Sequence, residues 1–356
     1  MFLRYVCSAL SISALIFGCC LALAPKAVAI TYGQPDCADN ATNTGCLHPN
    51  TVSLSGFREP GAGEQASLIS SIRCSGSLLS VDESRFVILT AGHCVSAYLA
   101  GLQDGSLVDV GVSFDAAISR DLPAISPTVW SASQYILHGQ PVLNSSYGRQ
   151  GAQASNIQFD YAVVVFDLPA IARVTEGGTL VDVDSIGPVL LPPQDYLVGQ
   201  VSAKQPLNIT AVGYGTGEAH NKPGAGGNAG GAVNATDTLG VRWYTDLTSA
   251  FSFMGPEGNL LLGSQNPARG DEGTCGGDSG GPLFYNDNEA EIQIGITSSG
   301  DAVCRATSII ARTDSARAVD FLGCVMSVGA STPDILSCGC TEVNSQGECE
   351  VTVGSK

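Results

Sequence analysis

The chain reads as an all-β protein rich in turns. Three observations point there: 43 of its 356 residues are glycine, only 14% are charged, and short runs of β-branched residues recur while helical periodicity is scarce. A hydrophobic content of 44% over this length can fill a sizeable core, as one large domain or two ordinary ones, so disorder is not the expected state.

Residues 1–29 read as an export signal. Arg4 gives a positive start, residues 6–23 are almost wholly apolar, and Ala27-Val28-Ala29 supplies the small residues of a cleavage site. The rival reading is a lipid anchor at Cys19, because Ile16-Phe17-Gly18-Cys19 loosely resembles a lipobox. No later stretch is apolar and long enough to span a bilayer. The formal net charge is -17; removing Arg4 and Lys26 with the signal leaves 14 basic against 33 acidic residues, or -19. So acidic a surface repels phosphate backbones and anionic lipid heads, which excludes nucleic acid and, once the signal is gone, membrane surfaces as expected partners.

Of 13 cysteines, Cys7, Cys19 and Cys20 fall in the signal, leaving an even ten in an exported chain, the pattern of disulfides. Zinc is the competing use, but Cys338-Gly-Cys340 with Cys349 lacks a paired Cys-x-x-Cys knuckle and a nearby histidine, so no metal or other cofactor is expected.

Residues 30–66 are polar and turn-rich, with Cys37 and Cys46 bracketing a loop that a local disulfide would close, and strands are expected only after them. Residues 66–79 and 85–90 have strand character, the second run ending in Ala91-Gly92-His93-Cys94. Residues 95–156 are loosely patterned and read as an insertion with exposed loops. Residues 161–166 form a short apolar strand preceded by Asp160, and 207–214 another, running into Gly213-Tyr214-Gly215-Thr216. The glycine-rich segment 217–231 reads as a surface loop. Further strands are expected at 240–244, 259–262, 292–298 and 308–312, and then Asp314 is placed to cap a short helix through Phe321. The cysteine-rich tail, 326–356, shows no periodicity.

The chemistry sits in Gly273-Thr-Cys-Gly-Gly-Asp-Ser-Gly-Gly-Pro282. A serine that attacks a carbonyl needs the substrate backbone close to its own, and flanking glycines permit that approach. They also permit a tight turn that aims the N–H groups of Gly277 and Ser279 at a developing oxyanion. Ser279 needs a base, since its hydroxyl is protonated at neutral pH. Of four histidines, His93 stands out because it ends a buried-looking strand beside Cys94, whereas His48, His138 and His220 lie in polar or glycine-rich contexts. The base needs a carboxylate to fix its tautomer, and Asp160, at the mouth of an apolar strand, suits that role.

These three segments resemble the trypsin-like, or chymotrypsin-type, serine peptidases over about residues 30–325. The order His, Asp, Ser matches, as do Thr90-Ala-Gly-His-Cys94, Gly213-Tyr-Gly-Thr216 and Gly295-Ile-Thr-Ser-Ser-Gly300. The resemblance implies two packed antiparallel β-barrels, with a boundary near 170–190 and the active site between them, followed by a short C-terminal helix and the tail. It implies a monomeric, secreted endopeptidase that acts on proteins or peptides through an acyl-enzyme, the alternative being a catalytically silent binding protein on the same scaffold. Its disulfides map onto Cys74 with Cys94 and Cys275 with Cys304; Cys37 with Cys46 is inferred from proximity, and the pairing of Cys324, Cys338, Cys340 and Cys349 stays open. Its substrate pocket maps onto Gly273, Thr274, Ser298 and Gly300. The aspartate of trypsins is replaced by Gly273, so an uncharged residue is expected on the acyl side of the scissile bond, unless Asp301 or Glu272 reaches the pocket. The aromatic residue after the substrate-pairing serine is replaced by Ser299. Ile30-Thr-Tyr-Gly33 resembles the family's mature start, which implies an activating ion pair between the Ile30 ammonium and Asp278.

Overall fold

The computed structural model describes residues 30, 33–41, 43–62, 68–118, 121–122, 131–132, 135–147, 156–167, 174–176, 179–181, 183–202, 207–216, 240–247, 251–254, 258–266, 271–287, 290–301, 304–328 and 335–345. The proposed signal, the segment 217–231 with His220, and Cys349 lie outside them.

Two antiparallel sheets dominate. The first, nine-stranded, runs from Ser131–Ala132 through Tyr135–Ile136, Asp109–Ser113, Thr51–Arg58, Leu68–Val81, Arg85–Thr90 and Ala162–Asp167 to Gln140–Leu143, with Asp121–Leu122 paired to Leu68–Val81. The second, eight-stranded, runs from Gln34–Pro35 through Trp243–Leu247, Ile209–Gly213, Pro282–Asn286, Glu291–Gly300, Thr307–Arg312 and Leu260–Ser264 to Ser252–Met254. Among the described residues no ladder joins the two ends of either sheet, so two open sheets stand where closed barrels were expected. Apolar side chains from Ala162–Asp167 and Arg85–Thr90 pack into one cluster that also takes in Leu260, Ile296 and Ala311 of the second sheet. The two halves thus share core as well as a cleft.

Three expectations are corrected. Thr51–Arg58 is a central strand inside the segment expected to be turns, paired with both Leu68–Val81 and Asp109–Ser113. Residues 95–104 of the expected insertion belong to a helix, Gly92–Asp104, whose buried Val95, Tyr98 and Leu99 face the first sheet and whose end is turned by Gly105 at φ 76°. The C-terminal helix spans Ala316–Ser327 with Ser315, not Asp314, at its N-cap. Asp314 is fully buried and instead accepts two hydrogen bonds from the Arg312 guanidinium, at 2.8 Å each, and the N–H of Leu197.

Cys37–Cys46, Cys74–Cys94, Cys275–Cys304 and Cys324–Cys338 are disulfides, and Cys340 is also disulfide-bonded. The tail packs on the first half. Ile335 and Val343 join its core, while Leu143 and Cys340 exchange backbone hydrogen bonds and so cover the sheet edge at Gln140–Leu143. No described helix is long and apolar enough to cross a membrane.

A buried charge cluster ties the N-terminal segment to the second sheet. Arg242, 1% exposed, donates from Nε to Asp36 at 2.7 Å and from Nη1 to the Thr51 and Phe114 carbonyls and the Tyr214 hydroxyl. His48 Nδ1 meets the same carboxylate at 2.5 Å. Burial opposes a charged His48, but Asp36 and Glu291 outweigh it and raise its pKa from 6.5 to about 9. Stability from this pairing is therefore complete below pH 6.5 and lost as pH rises through about 9. Asp36→Ala leaves Arg242 buried without its carboxylate, and the expected cost, about 3–5 kcal/mol, should appear as a lower urea midpoint with unchanged slope.

Candidate active site

The helix that begins at Gly92 has no side-chain cap of its own. Its first-turn N–H groups need an acceptor, and Asp160 provides one, Oδ1 accepting the His93 N–H at 2.7 Å. The other oxygen, Oδ2, lies 2.8 Å from His93 Nδ1 and accepts the Ser298 hydroxyl at 2.5 Å. Asp160 is fully buried at the foot of Ala162–Asp167, so these three donors take the place of water around its charge. Burial alone would lower the His93 pKa; the Asp160 carboxylate outweighs it and leaves it above 6.5. The Cys74–Cys94 disulfide fastens the start of the helix to the neighbouring strand.

Ser279 sits in a tight turn. Gly277 and Gly280 hold φ of 96° and 85°, conformations that side-chain-bearing residues rarely adopt. Ser75 fastens this turn to the first sheet: its N–H donates to the Ser279 carbonyl at 2.8 Å and its hydroxyl to the Gly277 carbonyl at 3.0 Å. With that carbonyl turned towards Ser75, neither the Gly277 nor the Ser279 N–H donates to a described protein acceptor. Two unspent donors therefore flank the serine, the arrangement a developing oxyanion requires. Ser75 escaped notice in the sequence because nothing distinguishes one serine within a strand.

His93 and Ser279 line one cleft, together with Thr274, Ser298, Ser299, Gly300 and Asp301. Gly273 lies behind this wall, because a Cβ built there would overlap the side chain of Gln265. Asp301 reaches the cleft, but its carboxylate is occupied by the N–H groups of Arg305, Ala306 and Thr307 and by Gln265 Nε2. Burial would raise its pKa and these donors reverse the shift, so Asp301 titrates below the usual 3.8. Glu272 does not line the cleft; burial and the nearby Asp246 raise its pKa.

Asp278 is fully buried and accepts the N–H groups of Cys275 and Gly215, both at 2.8 Å. Burial outweighs those two donors and lifts its pKa to about 7. Ile30 is also wholly buried, in the core of the second half.

The trypsin family model matches residues 260–322, the stretch that holds Ser279 and the strand Glu291–Gly300, whose end lines the cleft. That stretch is similar to trypsin. No curated protein matches it. Among solved structures a similar chain is the protease Anisep from Arthrobacter nicotinovorans, with a TM-score of 0.39 and 17% identity over 74% of this chain and 90% of that one. The matched stretch lies wholly in the second half. His93 and Asp160 are supplied by the first.

Proposed function

We propose that this protein is a secreted serine endopeptidase. The observation that carries the reading is the convergence of a buried carboxylate, a histidine oriented by it at 2.8 Å, and a serine on the same cleft flanked by two unspent N–H donors. Asp160 holds His93 with Nδ1 protonated, which leaves Nε2 as the base. Nε2 takes the Ser279 proton as Oγ attacks the peptide carbonyl, and the oxyanion settles between the Gly277 and Ser279 N–H groups. The imidazolium, stabilised by Asp160, returns the proton to the leaving amine. Water repeats the sequence on the acyl-enzyme and frees the second product.

Because Asp160 raises the His93 pKa, the base becomes competent only above pH 6.5. The acid limb of kcat/KM is expected to have its midpoint above that value, and Asp160→Asn should lower the midpoint along with the rate. A pH-rate profile of both proteins checks this.

Export is supported by four disulfides among the described residues, and by the apolar leader, with the lipid anchor at Cys19 as its rival. An uncharged acyl-side residue is supported by Gly273 and by the full occupancy of Asp301, since a buried cation would find no free countercharge. A silent binding protein on this scaffold would keep the fold but leave Ser279 unreactive. A fluorophosphonate probe separates the two: the peptidase reading requires covalent label on Ser279, and an unlabelled serine in folded protein rejects it.

A further inference from the structure

Directly behind the wall of the pocket beside Ser279, bonded to its lining residues Thr274 and Asp301, lies a residue the motifs do not announce. Gln265 follows the strand Leu260–Ser264 and is 1% exposed. Its Oε1 accepts the Thr274 N–H at 3.0 Å, and its Nε2 donates to Asp301 Oδ1 at 3.2 Å. One amide thereby ties together the two walls of the pocket, the 273–275 segment and the 300–301 segment. Two glycines face it from opposite sides. A Cβ on Gly273 would run into Gln265 Cβ, Cδ and Oε1, and a Cβ on Gly300 would lie 3.6 Å from Gln265 Nε2. The volume that Gly273 vacates is therefore filled by the glutamine, with Gly300 in ordinary contact with its amide, and Thr274 Oγ1 and Ser308 Oγ make a polar contact of 3.2 Å.

We infer that Gln265 is the specificity-determining residue of this pocket, a plug that makes it shallow and selects small uncharged residues such as Ala or Ser on the acyl side. This rests on the peptidase reading and narrows it. The carboxamide is anchored at both ends, so moving it aside for a large side chain breaks two buried hydrogen bonds and orphans the Thr274 N–H. A large apolar group pays that penalty and a small one does not. A basic side chain gains nothing in return, because Asp301 already accepts four hydrogen bonds from Gln265 and the backbone. Gly273→Asp by itself does not create a trypsin-type pocket either, since the new side chain collides with Gln265.

The test uses mature enzyme and peptide anilides differing only in the acyl-side residue, Ala against Phe. Their kcat/KM ratio is taken within each protein, so a general loss of activity cancels. Native enzyme is expected to favour Ala by about tenfold or more, the usual discrimination from a misfit of this size. Gln265→Ala should shift the ratio towards Phe by about tenfold, and Gln265→Asn, one methylene shorter with its amide kept, in the same direction by less. A native preference for Phe overturns the proposal, as does an unchanged ratio in whichever of the two variants folds. Fluorophosphonate labelling of the native protein separates the levels: label with a Phe preference overturns the plug alone, and absence of both label and hydrolysis overturns the peptidase reading with it.

Discussion

Ser279→Ala is expected to lower kcat on a peptide substrate by roughly 10⁴-fold or more, the general behaviour of serine-peptidase triads when one member is removed. The reason lies in the division of labour in the cleft. The Gly277 and Ser279 N–H donors survive the substitution, since both are backbone groups, so the variant should still bind peptides and retain a small residual rate. His93→Ala should be about as damaging, because a serine without a base stays protonated. The two losses should not add: the double variant is expected to be little worse than either single one. Steady-state kinetics on purified proteins, with folding confirmed by circular dichroism, decides the matter. Near-normal turnover in Ser279→Ala would remove the serine from the mechanism.

The parts of the site that chemistry constrains locally were legible in the sequence. Glycines around Ser279 are demanded by two positive φ angles, and an acid at the foot of an apolar strand by the need to orient the histidine of the cleft. Less legible were elements whose burial comes from distant neighbours. In Thr51–Arg58 the serines Ser53 and Ser55 look like a solvated face, yet both are fully covered because the strand is flanked on each side and overlaid. Val95, Tyr98, Leu99 and Leu102 do recur at helical spacing, but the helix is short, contains Gly101, and starts within the histidine motif, so a loop reading masked it. Asp314 looked like a cap because position alone cannot reveal that Arg312, two residues earlier, folds back on it. Gln265 had no signature at all. Its role depends on the 260–264 strand bringing it between two glycines 27 positions apart in the chain, which only tertiary structure supplies.

Freeing the N-terminus at Ile30 is expected to raise kcat/KM by about 10²- to 10³-fold over a form that carries extra residues ahead of it, the range associated with forming or losing an oxyanion-hole donor. The argument starts from Asp278. Its carboxyl is fully buried beside Ser279, and with only two N–H partners it is pushed from 3.8 up to about 7. An acid whose folded pKa is raised stabilises the fold below its unfolded value and withdraws that contribution as pH rises through the folded one. The blocked form should therefore lose stability between about pH 4 and 7, followed as a falling thermal midpoint. An ammonium on Ile30, a residue already buried in the same half of the molecule, would keep the carboxylate ionised and cancel that loss. The freed form should then hold its midpoint across the same range while its oxyanion turn is fixed by the new pair. Asp278→Asn in the freed form should reproduce the low activity of the blocked form without its pH-dependent midpoint, because no titrating carboxyl remains. N-terminal sequencing of active enzyme gives the direct check: a start at Cys19, or full activity with residues still attached ahead of Ile30, rules this activation out.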